Sequence, residues 1–469
     1  MFEQGTDLLD TWLTDGKSAK VGKIYLPGCL MTKRLSLFNL IHTLQNSLDG
    51  LPEHRKGKNT TYLIRDAALG AFSVFFMQSS SFLAHQENMQ RNEGRNNASS
   101  LFGLKTLPSD NQIRNLLDPL EPEHLFPVFA QVSTLLEESG ELQAYRSYRD
   151  NLLIILDGTQ YFSSQEIHCD NCSHRTHGDE AIYFHAVITP VIAAPGNSRV
   201  IALEPEFIVP QDGHEKQDCE RAAAKRWLEQ YGPRYATLKA TLLGDDLFCN
   251  QPLCENVLEK KLNFIFVCKP DSHPELYQMV EFLDANGQVE QFSERSWKGK
   301  YAEIYTYRYV NQVPLRAGAD ALKVNWCELT IQHETTEKIT YRNAWATHHE
   351  ITRTTVKAIV QAGRTRWKVE NENNNVLKTK GYHFEHNFGH GTQHLATFLL
   401  TLNLLAFLFH TVLDLADAKY KLLRTELRAR KTFFDDLRAL TRYLYFESWE
   451  HLMDFMIANL KLTPPLDSG

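Results

Sequence analysis

Apolar and polar residues follow different patterns in three parts of the chain. Up to about residue 150, apolar residues recur with the spacing of amphipathic helices, as in Lys33 to Leu51. Strand-length apolar runs follow, and from 285 to 350 apolar and polar residues partly alternate, which is typical of antiparallel strands. Helical spacing returns after Thr352 and continues to about Leu460. The pattern predicts an α+β or α/β protein, with a mixed sheet flanked by helices between two helical regions.

Two of the apolar runs end on acidic residues. The run from Asn151 to Leu156 stops at Asp157, and the run from Thr237 to Leu243 leads through a glycine into Asp245 and Asp246. Runs that are apolar on both faces suit the central strands of a covered sheet. Sheets of this kind bind ligands at the carboxyl ends of their strands, which makes these acids candidates for a site. Acids at strand ends are also common as turn formers.

A polar helical stretch, Arg366 to Lys378, contributes a third acid. Glu370 and Glu372 lie in a segment, residues 351–380, that carries seven lysines and arginines against these two acids, although the protein has a net charge of −7. Carboxylates inside a basic patch suit a hard metal ion acting on a phosphate, because acids hold the cation and bases hold the anion. A solvated amphipathic helix with ordinary ion pairs is the alternative for this stretch alone.

Length and composition narrow the class of protein. The 469 residues allow two to four domains, and 43% hydrophobic with 23% charged residues is typical of soluble globular proteins. We expect no signal peptide, since residues 1–15 carry acids and lack an apolar core. The longest apolar run, Leu395 to Phe409, is shorter than the roughly 18–20 residues of a membrane span and predicts a buried helix. Eight scattered cysteines indicate a reducing cytoplasm. The mild acidity still allows a local basic groove for nucleic acid.

Two of these acids follow predicted strands and one lies on a predicted helix: Asp157, Asp245 and Glu370. Three carboxylates in this order can bind a pair of Mg²⁺ ions for in-line attack at phosphorus. The segment from Arg366 to Glu370, followed by Lys378, resembles the glutamate block of bacterial insertion-sequence transposases of the DDE type. That group has an RNase H-like core and carries Tyr-x2-Arg-x3-Glu-x6-Lys.

The chain departs from this motif at two positions. Gly363 stands where the tyrosine is expected, and Lys378 comes one residue late. The sequence Asp157-Gly158-Thr159 resembles the first catalytic block, and Gly244-Asp245-Asp246-Leu247 resembles the second, with Asp246 as the alternative to Asp245.

The resemblance implies a cut-and-paste DNA transposase and endonuclease in which Asp157, Asp245 and Glu370 bind Mg²⁺ or Mn²⁺. It implies partners as well: double-stranded DNA with terminal inverted repeats, target DNA and a second copy of the chain in a synaptic complex on the bacterial nucleoid. The residues expected to contact the DNA are Arg366, Lys378, Lys368, Arg364 and Trp345. Trp345, or Trp326 in its place, would stack on a flipped base, although a tryptophan is more often part of a core.

The same resemblance divides the chain into five segments. These are a helical N-terminal DNA-binding region (1–148), the first part of an RNase H-like core (149–284), a β-rich insertion (285–350), the second part of the core with the Glu370 helix (351–392) and a helical C-terminal region (393–469). Two alternatives remain open: another RNase H-like DNA nuclease, such as a resolvase, and a transposase-derived DNA-binding protein without catalysis.

A Cys-x2-Cys pair, Cys169 and Cys172, has the ligand spacing of a structural zinc site. Such a site needs four ligands, and the candidates to complete it are His168, His174, His177 and Cys219. Two buried thiols or a redox pair are the alternatives. A second group of possible metal ligands comprises His383, Glu385, His386, His390 and His394. Glycines at 381, 389 and 391 argue against one regular helix face for this group. Polar contacts of these histidines with the DNA backbone are the alternative.

Overall fold

The computed structural model describes residues 35–57, 60–89, 92–177, 180–210 and 219–465. The expected lack of a signal peptide in residues 1–15 lies outside these ranges. The first third is helical, as the periodicity predicts. Its α-helices are α1 (Leu37–Leu48), α2 (Ile64–Phe76), α3 (Phe82–Met89), α4 (Asn92–Phe102), α5 (Asp110–Leu117) and α6 (Phe126–Glu138).

A nine-stranded sheet forms the centre of the molecule, which confirms the predicted mixed α and β architecture. Its strands lie in the order β10 (Glu290–Trp297), β11 (Ala302–Pro314), β12 (Lys323–His333), β13 (Ile339–Thr347), β9 (Asn263–Val267), β8 (Ala240–Gly244), β1 (Leu152–Ile155), β5 (Val191–Ala193) and β6 (Ile201–Ala202). The pairs β1–β8 and β8–β9 are parallel and the other neighbours are antiparallel. The central strands are β1 (Leu152–Ile155), β5 (Val191–Ala193), β6 (Ile201–Ala202), β8 (Ala240–Gly244) and β9 (Asn263–Val267). Helices connect the later strands: α7 (Glu220–Thr237), α8 (Gln251–Glu259) and α9 (Pro274–Ala285).

The alternating segment from 285 to 350 forms antiparallel strands, as predicted. Its strands are β10 (Glu290–Trp297), β11 (Ala302–Pro314), β12 (Lys323–His333) and β13 (Ile339–Thr347). β13 pairs with β9, and Trp345 stands opposite Val267. The segment therefore extends the central sheet instead of forming a sheet of its own.

A smaller sheet stands beside the central one. It contains β2 (Gly158–Ser164), β3 (Ser173–His177), β4 (Glu180–Ile188) and β7 (Glu206–Ile208). The chain leaves the central sheet at Asp157 and returns to it at Thr189, where the Thr189 amide donates to the Asp157 carbonyl at 3.2 Å. Asp157 therefore lies where the chain crosses from one sheet to the other.

The helices at the two ends of the chain pack against each other. After α10 (Val356–Arg364), a π-helical turn (Val369–Asn374) and α11 (Asn375–Thr379), the chain continues through α12 (Leu395–Ala416), α13 (Ala418–Glu426), α14 (Arg430–Tyr443) and α15 (Trp449–Asn459). Phe72 of α2 meets Phe409 of α12 with ring centroids 5.4 Å apart, and buried Asn97 of α4 donates to the Thr441 carbonyl of α14 at 2.8 Å. The N-terminal and C-terminal helices thus share one core.

Helix α12 is long and apolar enough to cross a membrane by length and composition alone. However, 94% of its most apolar 18-residue window is buried inside the protein. Together with α2, it forms the centre of the helical core. The prediction of a buried helix for this run is confirmed.

Candidate carboxylate site at the edge of the central sheet

The carboxyl ends of β1 and β8 lie side by side. The two strands are parallel, and Ile155 stands opposite Leu243. Asp157 and Asp245 each follow two residues after this pair, so both acids reach the same edge of the sheet at the same level. The negative charge of Asp245 contributes to raising the pKa of Asp157, which places the two carboxylates within electrostatic reach of one another.

Asp246, the alternative to Asp245, has a different environment. Its carboxylate accepts the backbone N–H of Lys269 at 2.6 Å and the hydroxyl of Ser272. These bonds tie the end of β8 to the turn after β9. Asp245 instead accepts the N–H of Leu247 at 2.9 Å and interacts with the other acids of the site. Asp246 therefore has a structural role in holding the turn after β9, whereas Asp245 is the one of the two that interacts with Asp157 and Glu220.

A fourth acid, Glu220 in the first turn of α7, joins the cluster. A Cβ built on Gly158 would lie 2.4 Å from Cδ of Glu220, so the Glu220 carboxyl lies directly against the backbone next to Asp157. Burial and the charge of Asp245 raise the pKa of Glu220. The sequence pattern gives no sign of a site at Glu220, because acids are common in the first turn of helices, where they interact favourably with the helix dipole.

Burial and like charges act together on Asp157. Burial is the largest cause that raises its pKa to about 7, and the carboxylates of Glu220, Glu370 and Asp245 add to the effect. Arg366 acts in the opposite direction. Asp157 therefore lies within electrostatic reach of three other carboxylates and of the Arg366 guanidinium.

Glu370 lies within a π-helical turn, Val369–Asn374. This turn directs Asn374 toward the sheet, where its Nδ2 donates to Oδ2 of Asp157 at 3.1 Å. Thr189 donates to the Asn374 amide oxygen at 3.2 Å and accepts from buried Asn373 at 2.9 Å. π-Turns inside helices are frequent at functional sites, and this one connects the glutamate helix to the first acid.

The π-turn also bears on the late position of Lys378. An α-helix completes two turns in about seven residues, whereas a turn closed by i→i+5 hydrogen bonds takes up an additional residue. Lys378 follows Glu370 by eight residues. A π-turn between Glu370 and Lys378 can accommodate one such extra residue. Its ammonium pairs with Glu385 at 2.8 Å.

Gly363 and Trp345 are in close contact. A Cβ on Gly363 would lie 2.7 Å from Nε1 of Trp345, so no larger side chain fits at position 363. This contact gives a physical reason for glycine where the resembled motif has tyrosine. Trp345 is fully buried and Trp326 is 1% exposed, so neither offers a surface to a base. The expectation that Trp345 contacts DNA is corrected: it is a core residue.

The basic residues expected at the DNA differ in their surroundings. Arg366 pairs with Glu370 at 2.7 Å, and the Arg364 guanidinium lies 4.6 Å from the ring centroid of Tyr341. Lys368 is only 7% exposed, and its ammonium donates to the carbonyl of Asn197 at 2.5 Å. The expectation that Lys368 binds the DNA backbone is therefore corrected, because the side chain is buried and its ammonium already donates to a backbone carbonyl.

The acid cluster has the donor set that Mg²⁺ prefers, carboxylate and amide oxygens. Within the described ranges, the groups whose ligand atoms all lie within 4.8 Å of one another consist of cysteine and histidine, so the acids are spaced more widely. Carboxylates that repel each other are expected to stand apart until a cation lies between them. The residues therefore fit a divalent cation in the chemistry of their ligand atoms.

The Cys-x2-Cys pair lies in the connection between β2 and β3 of the smaller sheet. Cys169 and Cys172 face His185 of β4 and His390, not the ligands that the sequence suggested. The ring of His168 stacks on Tyr183 with centroids 4.3 Å apart. From the second predicted group, His390 joins the cysteines.

Comparison with models of known protein families and with curated proteins found no match for this chain.

Proposed function

We propose that this chain is a DDE transposase with an RNase H-like core, which cuts DNA at the ends of an insertion sequence and joins them to a target. The observation that carries the proposal is the placement of Asp157 and Asp245 after two adjacent parallel strands, with the turn that contains Glu370 hydrogen-bonded to Asp157 through Asn374. Two of these acids end parallel strands and the third starts a helical turn that is bonded back to the first. A β-rich segment between the second acid and the glutamate suits the same proposal.

In this proposal, Asp157, Asp245 and Glu370 hold Mg²⁺ or Mn²⁺. Such ions, when bound, stabilise the charge that develops at phosphorus and generate a nucleophile from water or a 3′-hydroxyl. The chain's own residues prepare the site. Asn374 fixes the orientation of the Asp157 carboxylate, and Arg366 holds Glu370 through their ion pair. Glu220 adds a fourth carboxylate at the same edge.

A cleft beside α10 is the proposed path for the DNA backbone. Its volume is about 490 Å³, and its lining includes Lys357, Arg364 and half-exposed Trp367. Lysine and arginine neutralise phosphates, and an exposed indole offers a face for base stacking. Arg366 and Lys378 flank Glu370 on the helical stretch that follows α10 and would hold the strand near the scissile phosphate.

Double-stranded DNA with terminal inverted repeats, target DNA and a second copy of the chain are the proposed partners. Two ends of an element must be brought together, so we propose a homodimer in a synaptic complex. The proposed place of action is the bacterial cytoplasm, on nucleoid DNA. The burial of α12, the chain's most apolar helix, agrees with a soluble protein.

The test uses a linear DNA that carries both genomic ends of the segment encoding this chain, with Mg²⁺ and a target plasmid. We expect the wild type to cut at the ends and to join the freed 3′-hydroxyls to the plasmid. Asp157→Ala, Asp245→Ala and Glu370→Ala should bind the same DNA and cut none. Unchanged cutting by Asp157→Ala, or cutting in the presence of excess chelator, would reject the proposal.

A further inference from the structure

Four side chains that can bind metals converge in the smaller sheet. Cys169 Sγ and Cys172 Sγ lie 3.9 Å apart, and both approach Nε2 of His185, at 3.6 and 3.4 Å. His390 Nε2 lies 3.4 Å from Cys172 Sγ and 3.1 Å from His185 Nε2. Three of the four residues are buried and Cys169 is half-buried. All four ligand atoms thus surround one point.

We propose that Cys169, Cys172, His185 and His390 bind a structural zinc ion. Bond lengths of about 2.3 Å to sulfur and about 2.0–2.1 Å to nitrogen, at tetrahedral angles, imply separations of about 3.8 Å between sulfurs, about 3.6 Å between sulfur and nitrogen and about 3.3 Å between nitrogens. The observed 3.9, 3.4–3.6 and 3.1 Å follow this order. The sulfur separation is also far beyond a disulfide bond of about 2.05 Å.

The surroundings of the ligands support a metal site. Nδ1 of His390 donates to the carbonyl of Gly391 at 2.9 Å, which leaves the lone pair of Nε2 directed at the cluster. Zinc-binding histidines commonly have such a partner on their second nitrogen. The amide of Cys172 donates to the carbonyl of Cys169 at 3.1 Å, so a tight turn brings both thiols to the same side.

The ligands come from two distant parts of the chain. Cys169, Cys172 and His185 belong to the β3–β4 hairpin region, whereas His390 lies 218 residues beyond Cys172, between α11 and α12. The same connection is held at its other side by Asp118, which accepts the backbone N–H groups of Thr392, Gln393 and Leu395.

The zinc would thus fasten the segment that follows the Glu370 helix to the smaller sheet. A site with four protein ligands keeps no open position, so its role is structural and not catalytic. It does not depend on the proposed DNA chemistry.

The test measures metal in the full-length protein purified without added metal. We expect one zinc ion per chain by elemental analysis, and a lower melting temperature after chelation because the ion stabilises the folded state only. Cys172→Ser and His390→Gln should lose the zinc. Cys327→Ser, which removes a buried thiol from β12 outside the cluster, should retain it.

A second measurement uses the wild type and tests the proposal even if the variants fail to fold. Cobalt exchanged into the wild type should give the visible absorption of a tetrahedral site with thiolate ligands, and zinc should displace it. Wild type that folds without stoichiometric metal, a cobalt spectrum without thiolate bands or full zinc content in Cys172→Ser would each overturn the proposal. All of these readouts are independent of DNA cleavage, so a failure here leaves the transposase proposal standing.

Discussion

Asn374 donates a hydrogen bond to Asp157 across 217 residues of sequence, with Nδ2 lying 3.1 Å from Oδ2. This bond ties the turn that carries Glu370 to the end of the first central strand. It leaves one oxygen of the Asp157 carboxylate free of this contact and fixes its direction. The turn that contains Glu370 is thus held against Asp157 before any cation or DNA is bound.

Asn374→Ala should therefore weaken cleavage without removing any acid. Partners that orient metal ligands are worth about 10–100-fold in activity or metal affinity, and we expect a loss of that size at low Mg²⁺ concentration. Initial cleavage rates over a Mg²⁺ series measure it. Asn371→Ala is the matched control, because the Asn371 side chain is exposed and bonds only to the nearby Trp367 carbonyl in the described structure. Equal losses in both variants would contradict the prediction.

Mutations of Asp245 and Asp246 should have different effects on cleavage and on stability. Asp245→Asn should abolish cleavage with little change in the free energy of unfolding, because its carboxylate serves the site. Asp246→Asn should lower stability by about 1–3 kcal/mol, since the Lys269 amide and the Ser272 hydroxyl lose a charged acceptor, yet leave cleavage detectable. Urea unfolding and end-cleavage rates on the same preparations check both halves. The reversed pattern would move the second acid to Asp246.

Mutation of Lys368 should lower stability, whereas mutation of Lys378 should weaken DNA binding. Lys368→Met should destabilise the fold, because the carbonyl of half-buried Asn197 loses its donor, but should leave the salt dependence of DNA affinity unchanged. Lys378→Gln should lower the slope of log affinity against log salt by about one. Fluorescence anisotropy over a salt series measures both. A reduced slope in Lys368→Met would show that this ammonium reaches DNA after all.

The local sequence predicts that Asp157 and Asp245 follow the ends of two strands, because each comes directly after an apolar run of strand length. The alternating pattern from 285 to 350 predicted antiparallel strands for the same reason. Glu220, Asn374 and His185 could not be found this way, since each reaches its site through tertiary contacts that leave no local period. Trp345 is buried in the central sheet, where β13 pairs with β9 and Gly363 lies against the indole, and neither contact can be read from the local sequence.

Acid should destabilise the protein through buried His85. Its ring bonds to Ser73 at 2.8 Å and Ser79 at 3.0 Å, and burial lowers its pKa to about 3. The unfolded chain takes up this proton below about pH 6.5 while the folded protein does not, so stability is full above that pH and falls as the pH drops toward 3. His85→Gln should reduce the slope by up to about 1.4 kcal/mol per pH unit. Urea unfolding between pH 7 and 4 tests this, with exposed His42→Gln as control.

Gly158 and Glu220 should behave as a coupled pair. Gly158→Ala places a Cβ within 2.4 Å of Cδ and 2.7 Å of Cγ of Glu220, and the three nearest atoms to it all belong to that side chain. The substitution should therefore cost about 1–3 kcal/mol of stability and push the Glu220 carboxyl away from Asp157. Glu220→Ala removes the atoms of the clash, so Gly158→Ala in that background should cost much less. A double-mutant cycle in urea unfolding measures the coupling, and additive effects would mean that the Glu220 carboxyl does not rest against Gly158.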